Sequence, residues 1–181
     1  MYGVGGTATG TPATTTATST PGCTPVWVEK AHYPVGIMGE AVVSYGGGLY
    51  VLGGRDQDYV NRASVFRYDP GTDSWTQLAD MHAIRNWASA AEAGGFIYEV
   101  NGSDGGGALN TVFRYDIAGN TWSIMPNTLA ATYGQALVSL NGDVYRIGGL
   151  DPQGVYTTSV EVLGRGFVAP LPTGLAWSSA V

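Results

Sequence analysis

One phrase recurs three times in this chain: Tyr50-Val51-Leu52-Gly53-Gly54, Tyr98-Glu99-Val100-Asn101-Gly102 and Tyr145-Arg146-Ile147-Gly148-Gly149. The tyrosines stand 48 and then 47 residues apart. Self-similarity at that period means a tandem array with one supersecondary unit per repeat, each unit burying its apolar surface against its neighbours.

Within the first unit, Ala41-Val42-Val43-Ser44-Tyr45 breaks at Gly46-Gly47-Gly48 before Leu49-Tyr50-Val51-Leu52, which reads as a β-hairpin. The same hairpin recurs around Gly94-Gly95 and around Asn141-Gly142. No helix follows any glycine cluster, so the glycines are turn chemistry and not a phosphate-binding loop. A loop of variable sequence follows each doublet and leads to a third strand: Val65-Phe66-Arg67-Tyr68, Val112-Phe113-Arg114-Tyr115 and Val160-Glu161-Val162-Leu163. A fourth strand opens at Trp75 after Asp69-Pro70-Gly71-Thr72-Asp73 and at Trp122 after Asp116-Ile117-Ala118-Gly119-Asn120. Asp69, Asp73 and Asp116 are turn formers, because Asp side chains bond nearby backbone amides in such turns.

Carried outwards, the register predicts a further outer strand headed by Trp27 over residues 26–33. It also predicts a further inner strand over 175–181, where Ala176-Trp177-Ser178-Ser179-Ala180-Val181 mirrors Asn86-Trp87-Ala88-Ser89-Ala90-Ala91. Three four-stranded units, at about 36–81, 84–128 and 131–172, lie between them. With 28 glycines, 11 tyrosines and 5 tryptophans and little helical periodicity, the expectation is all-β.

Four-stranded repeats of this length, with a Gly-Gly doublet, a Tyr-Asp and a spaced Trp, resemble kelch repeats, the blades of a kelch β-propeller. Doublet, Tyr-Asp and Trp recur in register at Gly53-Gly54, Tyr68-Asp69 and Trp75. The resemblance covers residues 26 to 181. Asn101 departs from it by replacing a doublet glycine. Leu163 stands in for tyrosine, and Phe167 for tryptophan after the short Gly164-Arg165-Gly166. The resemblance implies a closed ring, typically of about six or seven blades. Three blades leave two sheet faces bare, an aggregation hazard, so the chain reads as a fragment of a kelch-type β-propeller, residues 25–181. Head-to-tail assembly of copies is the alternative.

Residues 1–24 are rich in Thr, Pro, Ser and Gly and poor in large apolar side chains. Such a segment does not offset its ordering entropy and is expected to be a disordered stalk. Thr/Pro stalks typically tether extracytoplasmic domains, so an extracellular or cell-surface location is expected. Cys23 lies in this segment as the lone cysteine and forms no internal disulfide. The net charge of −6 leaves no basic surface for nucleic acid. No apolar run of membrane-spanning length is present.

In an antiparallel meander the connections after strands two and four share a face, and here they are long and differ between repeats. Recognition concentrates in such loops. The candidate contacts are Arg55, Asp56, Tyr59, Arg85, Asn86, Trp87, Ser103, Asp104, Tyr133, Asp151 and Tyr156. The resemblance singles out Arg55 and Arg85, which match the arginines lining the central mouth of partner-binding kelch proteins. The competing reading pairs them with Asp56, Asp58 or Asp104 as loop-ordering ion pairs. Trp87 suits packing between blades as well as contact. Tyr59, Trp87, Tyr133 and Tyr156 have the apolar body and polar handle for stacking on sugars or on partner side chains.

No catalytic residues, metal or cofactor are assigned. Galactose-oxidase-like kelch enzymes need paired histidines and a tyrosine bonded to cysteine, whereas here His32, His82 and Cys23 are scattered. Asp56, Asp58, Asp104 and Asp151 offer oxygen ligands of the kind calcium takes, but solvated loop charge explains them. The sequon Asn101-Gly102-Ser103 sits at a strand end where backbone geometry already accounts for it. The expected function is a non-catalytic binding module engaging protein or glycan through one face. The alternative is part of an oxidase-like or sialate mutarotase-like kelch enzyme whose catalytic residues lie outside this chain.

Overall fold

The computed structural model describes residues 26–164 and, as backbone, 166–167. The expected stalk 1–24, Cys23, Trp177 and the inner strand 175–181 lie outside the described residues.

Three four-stranded antiparallel sheets follow one another, each in meander order. The first comprises β2 (Ala41–Tyr45), β3 (Gly48–Leu52), β5 (Val65–Asp69) and β6 (Ser74–Gln77). The second comprises β7 (Ser89–Ala93), β8 (Phe96–Val100), β9 (Val112–Asp116) and β10 (Thr121–Met125). The third comprises β11 (Ala136–Leu140), β12 (Asp143–Ile147), β13 (Val160–Val162) and the short β14 (Gly166–Phe167). A small ladder of β1 (Ile37–Met38) and β4 (Arg55–Asp56) stands beside them. The described residues contain no helix. The repeat therefore sets the blades, and Trp75 and Trp122 take equivalent places in outer strands. Even the third repeat, where tyrosine and tryptophan are lost, pairs in the same order.

Apolar side chains from both faces of a blade are buried, because each blade packs on the next. Tyr50, Leu52 and Val65 of the first blade meet Ile97, Phe113 and Tyr115 of the second. Ala91, Val100 and Val112 of the second meet Leu137 and Val144 of the third.

The Tyr, Asp/Asn and Trp of the repeat form one clamp, used twice. Tyr68 Oη donates to Asp73 Oδ1 at 2.6 Å, the Ala31 amide donates to the same oxygen at 2.9 Å, and Trp75 Nε1 donates to the Ala31 carbonyl at 2.9 Å. In the second blade Tyr115 Oη and the Ala79 amide converge on Asn120 Oδ1 at 2.7 and 2.9 Å, while Trp122 Nε1 reaches Ala79 O at 2.8 Å. An acceptor oxygen is all the clamp requires, so Asp and Asn serve equally. Their φ values of 51° and 49° also suit residues that tolerate left-handed backbone. Each clamp grips the segment leading into its own blade.

One expectation is corrected. Residues 26–36 form no strand, and Trp27 is fully exposed. A strand needs a neighbouring edge to satisfy its amides, and no described residue supplies one. The segment is held instead by the clamp on Ala31 and by Tyr33, which stacks edge-on against Phe66 and Trp75. Burial beside Glu40 pushes the Tyr33 phenol up to about 12.

Candidate functional site

The loops after the second strands and the segments entering the first strands meet on one face. Met38 pairs with Arg55, Asn86 with Ser103, Leu109 with Thr132, and Tyr133 with Leu150. The glycine doublets explain how. Their first positions, Gly53, Asn101 and Gly148, have φ of 62°, 58° and 64°, a region asparagine tolerates. Their second positions, Gly54, Gly102 and Gly149, have φ of 91°, 90° and 102°. There the amide is turned towards the next blade: Gly54 N donates to Arg85 O at 2.8 Å and Gly102 N to Thr132 O at 2.9 Å. A Cβ on Gly102 would lie 2.7 Å from Asn86 O and 2.8 Å from Ala88, so only glycine allows the approach.

Three aspartates at equivalent places build the loops. Asp56 Oδ1 accepts the amides of Asp58 and Val60 at 3.0 and 2.9 Å, and Asp151 Oδ1 those of Gln153 and Val155 at 2.9 and 2.8 Å. Asp104 Oδ1 accepts the Gly106 amide at 2.8 Å. Asp56 also pairs with the Arg62 guanidinium. The Val60 amide first, and Arg62 with it, hold the Asp56 carboxyl below the usual carboxylate range. These carboxylates are turn chemistry of their own loops. No group of three or more His, Cys, Asp or Glu among the described residues has metal-binding geometry.

The two arginines part company. Arg55 is half-buried, donates through Nε to Tyr59 O at 3.1 Å, and stacks its guanidinium 4.8 Å from the centre of the Tyr59 ring. Arg85, expected as a contact, is 1% exposed. Its Nη1 donates to the carbonyls of Asn101 and Thr111 at 2.9 and 3.1 Å, its Nη2 donates to Thr111 Oγ1 at 2.7 Å, and Phe113 lies against its face at 4.2 Å. Its ionic partner is Glu99, at 3.1 Å, and not Asp56, Asp58 or Asp104. Arg85 is thus a pin between blades, removed from the contact set by its burial. Burial pushes the Glu99 carboxyl up to about 8, against the pull of Arg85. Burial likewise lowers the Arg85 guanidinium, with Glu99 opposing.

A second buried pair, Arg146 with Glu161 at 3.0 Å, holds the third blade. Glu161 also accepts the amides of Leu129 and Ala130, both at 3.2 Å. Sequence reasoning missed both pairs. The available signal was a charge inside the recurring phrase, where Glu99 and Arg146 replace the apolar Val51.

The remaining candidates divide by exposure. Asn86 is buried and exchanges both backbone bonds with Ser103, each at 2.8 Å. Trp87 is half-buried with its indole laid over Gly39, whose added Cβ would meet it at 2.9 Å. Tyr133 is half-buried in the ladder with Leu150. Tyr59 is 74% exposed and Tyr156 59% exposed, and Asp104 is exposed. The side-chain amide of the sequon residue Asn101 is fully buried, donating to Ala130 O and Thr132 Oγ1. His32 contacts Glu29 at 2.6 Å, while His82 stacks edge-on against Phe113. Among the described residues no helix is long and apolar enough to cross a membrane.

Comparison with known proteins places this geometry. The Kelch motif matches residues 41–82 and 88–128, the first two blades. Kelch-like protein 15 of Homo sapiens is 33% identical over 81 residues, 42% of this chain and 13% of the relative. Kelch-like protein 31 of Homo sapiens is 33% identical over 89 residues, 46% of this chain and 14% of the relative. The chain therefore matches a small part of the length of these relatives. The solved structure titled "Structure of YjhT" superposes with a TM-score of 0.74 at 17% identity, covering 82% of this chain and 59% of that one.

Proposed function

Because this is a kelch-repeat chain with propeller-like blades, we propose that it is a non-catalytic module that binds another protein through the face carrying the loops after the second strands. The observation that carries the reading is Arg55. Arg62, Arg67, Arg85 and Arg146 each have a carboxylate within 4.0 Å. Arg55 and Arg114 have none among the described residues; Arg114 lies over the Phe96 ring of its own blade, whereas Arg55 stands on the loop face with its terminal nitrogens left for a partner. Around it stand exposed Met38, Tyr59 and Val60, and Tyr, Met and Arg are enriched where protein interfaces concentrate their energy. The loops are held by aspartate caps, so little ordering entropy remains to be lost on binding.

The test is selection of binders from a displayed peptide library with the immobilised chain, followed by titration of the recovered peptides. Arg55→Ala is expected to weaken them about tenfold or more, in the range of a charged interface contact. Asn141→Gly, in an exposed hairpin turn at φ 53° on the opposite face, is expected to leave them unchanged. Recovery of no binders, or binders insensitive to Arg55 and lost with Asn141→Gly, refutes the assignment.

A further inference from the structure

The clamp built from Tyr68, Asp73 and Trp75, and again from Tyr115, Asn120 and Trp122, has no third copy among the described residues. A cleft stands in its place. It lies between the linker that leaves β10 and strand β13, has a volume of about 340 Å³, and is walled by Met125, Pro126, Leu129, Glu161 and Leu163 among others. Small-molecule sites begin near ~300 Å³.

The second blade shows what such a space holds. Trp122 lies 5.0 Å from the Tyr115 ring and 6.4 Å from the Phe113 ring, and its Nε1 donates to Ala79 O at 2.8 Å. Strand pairing puts Leu163 and Glu161 where Tyr115 and Phe113 stand, because Val162 pairs with Tyr145 as Arg114 pairs with Tyr98. The linkers are in register as well. The Met81 amide donates to Ala63 O at 2.9 Å and the Thr128 amide to Asn110 O at 2.8 Å, so Pro126 takes the place of Ala79. The equivalents of all three residues around the Trp122 indole therefore line the cleft.

Three replacements empty it. Leu163 is smaller than tyrosine. Glu161, 4% exposed, spends its carboxylate on Arg146 and on the Leu129 and Ala130 amides. Pro126 has no amide hydrogen, so the donor that Asp73 and Asn120 accept in the other clamps does not exist here. Phe167 does not restore the tryptophan either. Its backbone pairs with Glu161 as Ile124 pairs with Phe113, whereas Trp122 pairs with Tyr115, so the register sets Phe167 beyond the tryptophan's place.

What remains suits one chemistry. Arg146 meets the charge of Glu161, and the cleft asks for no cation. Its walls are apolar at Met125, Pro126, Leu129 and Leu163, and Pro126 O stands where Ala31 O and Ala79 O accept an indole N–H. An indole combines a large apolar body with a single donor that needs a partner when buried.

We propose that this cleft is a binding site for an indole group supplied from outside the chain, seated as Trp75 and Trp122 are in their own blades, with its N–H donated to Pro126 O. The inference goes beyond the loop-face reading and does not depend on it.

The test is a fluorine NMR titration of 5-fluoroindole against the full chain, with indole, 1-methylindole and N-acetyltryptophanamide as competitors. 5-Fluoroindole is expected to bind saturably. 1-Methylindole, which has no N–H, is expected to compete about three- to tenfold more weakly than indole, the range of one lost hydrogen bond. Leu163→Trp fills the space from within and is expected to weaken binding at least about tenfold, with the melting temperature unchanged or higher. Leu129→Ser, at a 63% exposed position, leaves the core intact and is expected to lose about fivefold. Stronger competition by N-acetyltryptophanamide than by indole supports the site with a polypeptide tryptophan as its ligand, and the reverse supports it with a free small molecule. No saturable binding, equal competition by 1-methylindole, or insensitivity to both substitutions overturns the proposal. Binding that appears only with Trp177→Phe overturns it too, because the chain's own indole would then be the occupant.

Discussion

Asn101 is where consensus and structure make opposite predictions. It interrupts a doublet that is Gly-Gly in the other two blades, so restoring glycine looks like a repair. Yet the residue is fully buried, its Nδ2 donates to Ala130 O at 3.1 Å and Thr132 Oγ1 at 2.8 Å, and its Oδ1 accepts from Thr128 Oγ1 at 2.8 Å. Three such bonds at about 0.5 to 1.5 kcal/mol each set a range of about 1.5 to 4.5 kcal/mol. Thr128 keeps acceptors at Asn110 and Ala130, and Thr132 keeps Gln135, which draws the expected cost of Asn101→Gly to about 2 to 3 kcal/mol. Asn101→Ala loses the same bonds and, unlike the glycine variant, keeps a Cβ at φ 58° without the local hydrogen bonding that lets asparagine tolerate that backbone, a further ~1 kcal/mol of left-handed strain. Urea denaturation with linear extrapolation resolves both steps, provided the slopes agree. An Asn101→Gly protein as stable as the parent, or an Asn101→Ala protein more stable than the glycine variant, would refute the reasoning.

Glu99 predicts a pH dependence. Its carboxyl, pushed up to about 8 by burial, binds more proton in the folded than in the unfolded chain between about pH 4.5 and 8. Stability should therefore fall as pH rises through that window and level off above it, and Glu99→Gln should flatten the fall in melts taken across it. Gly102→Ala meets backbone at 2.7 to 2.8 Å in addition to a φ of 90°, and is expected to cost about 3 kcal/mol or more in chemical denaturation. Trp122→Phe removes the donor to Ala79 O and part of the ring packed against Phe113 and Tyr115, and should cost about 1 to 3 kcal/mol by the same assay. Asn120→Asp, which copies Asp73, should change stability at pH 7 by less than about 0.5 kcal/mol.

The sequence by itself determined the blades, because their signals are local or periodic. The spacing of Tyr50, Tyr98 and Tyr145 set the unit, short apolar runs broken by glycines set the strands, and Asn and Gly marked the turns. The turn roles of Asp69 and Asp116 were legible too, since Asp69 Oδ1 accepts the Gly71 amide and Asp116 Oδ1 those of Ala118 and Gly119. What tertiary structure decided was the fate of each charge. Arg55 after its doublet and Arg85 ahead of the next inner strand both read as arginines lining the mouth, but one stands at a loop and the other is enclosed with Glu99. Alternation along a strand separates two faces, and in stacked blades both faces are covered, so it does not say which polar side chain is buried. The strand expected at 26–33 failed for the same kind of reason. Its residues carry the pattern, but a strand exists only when another edge completes its hydrogen bonds, and that edge is a property of the assembled fold.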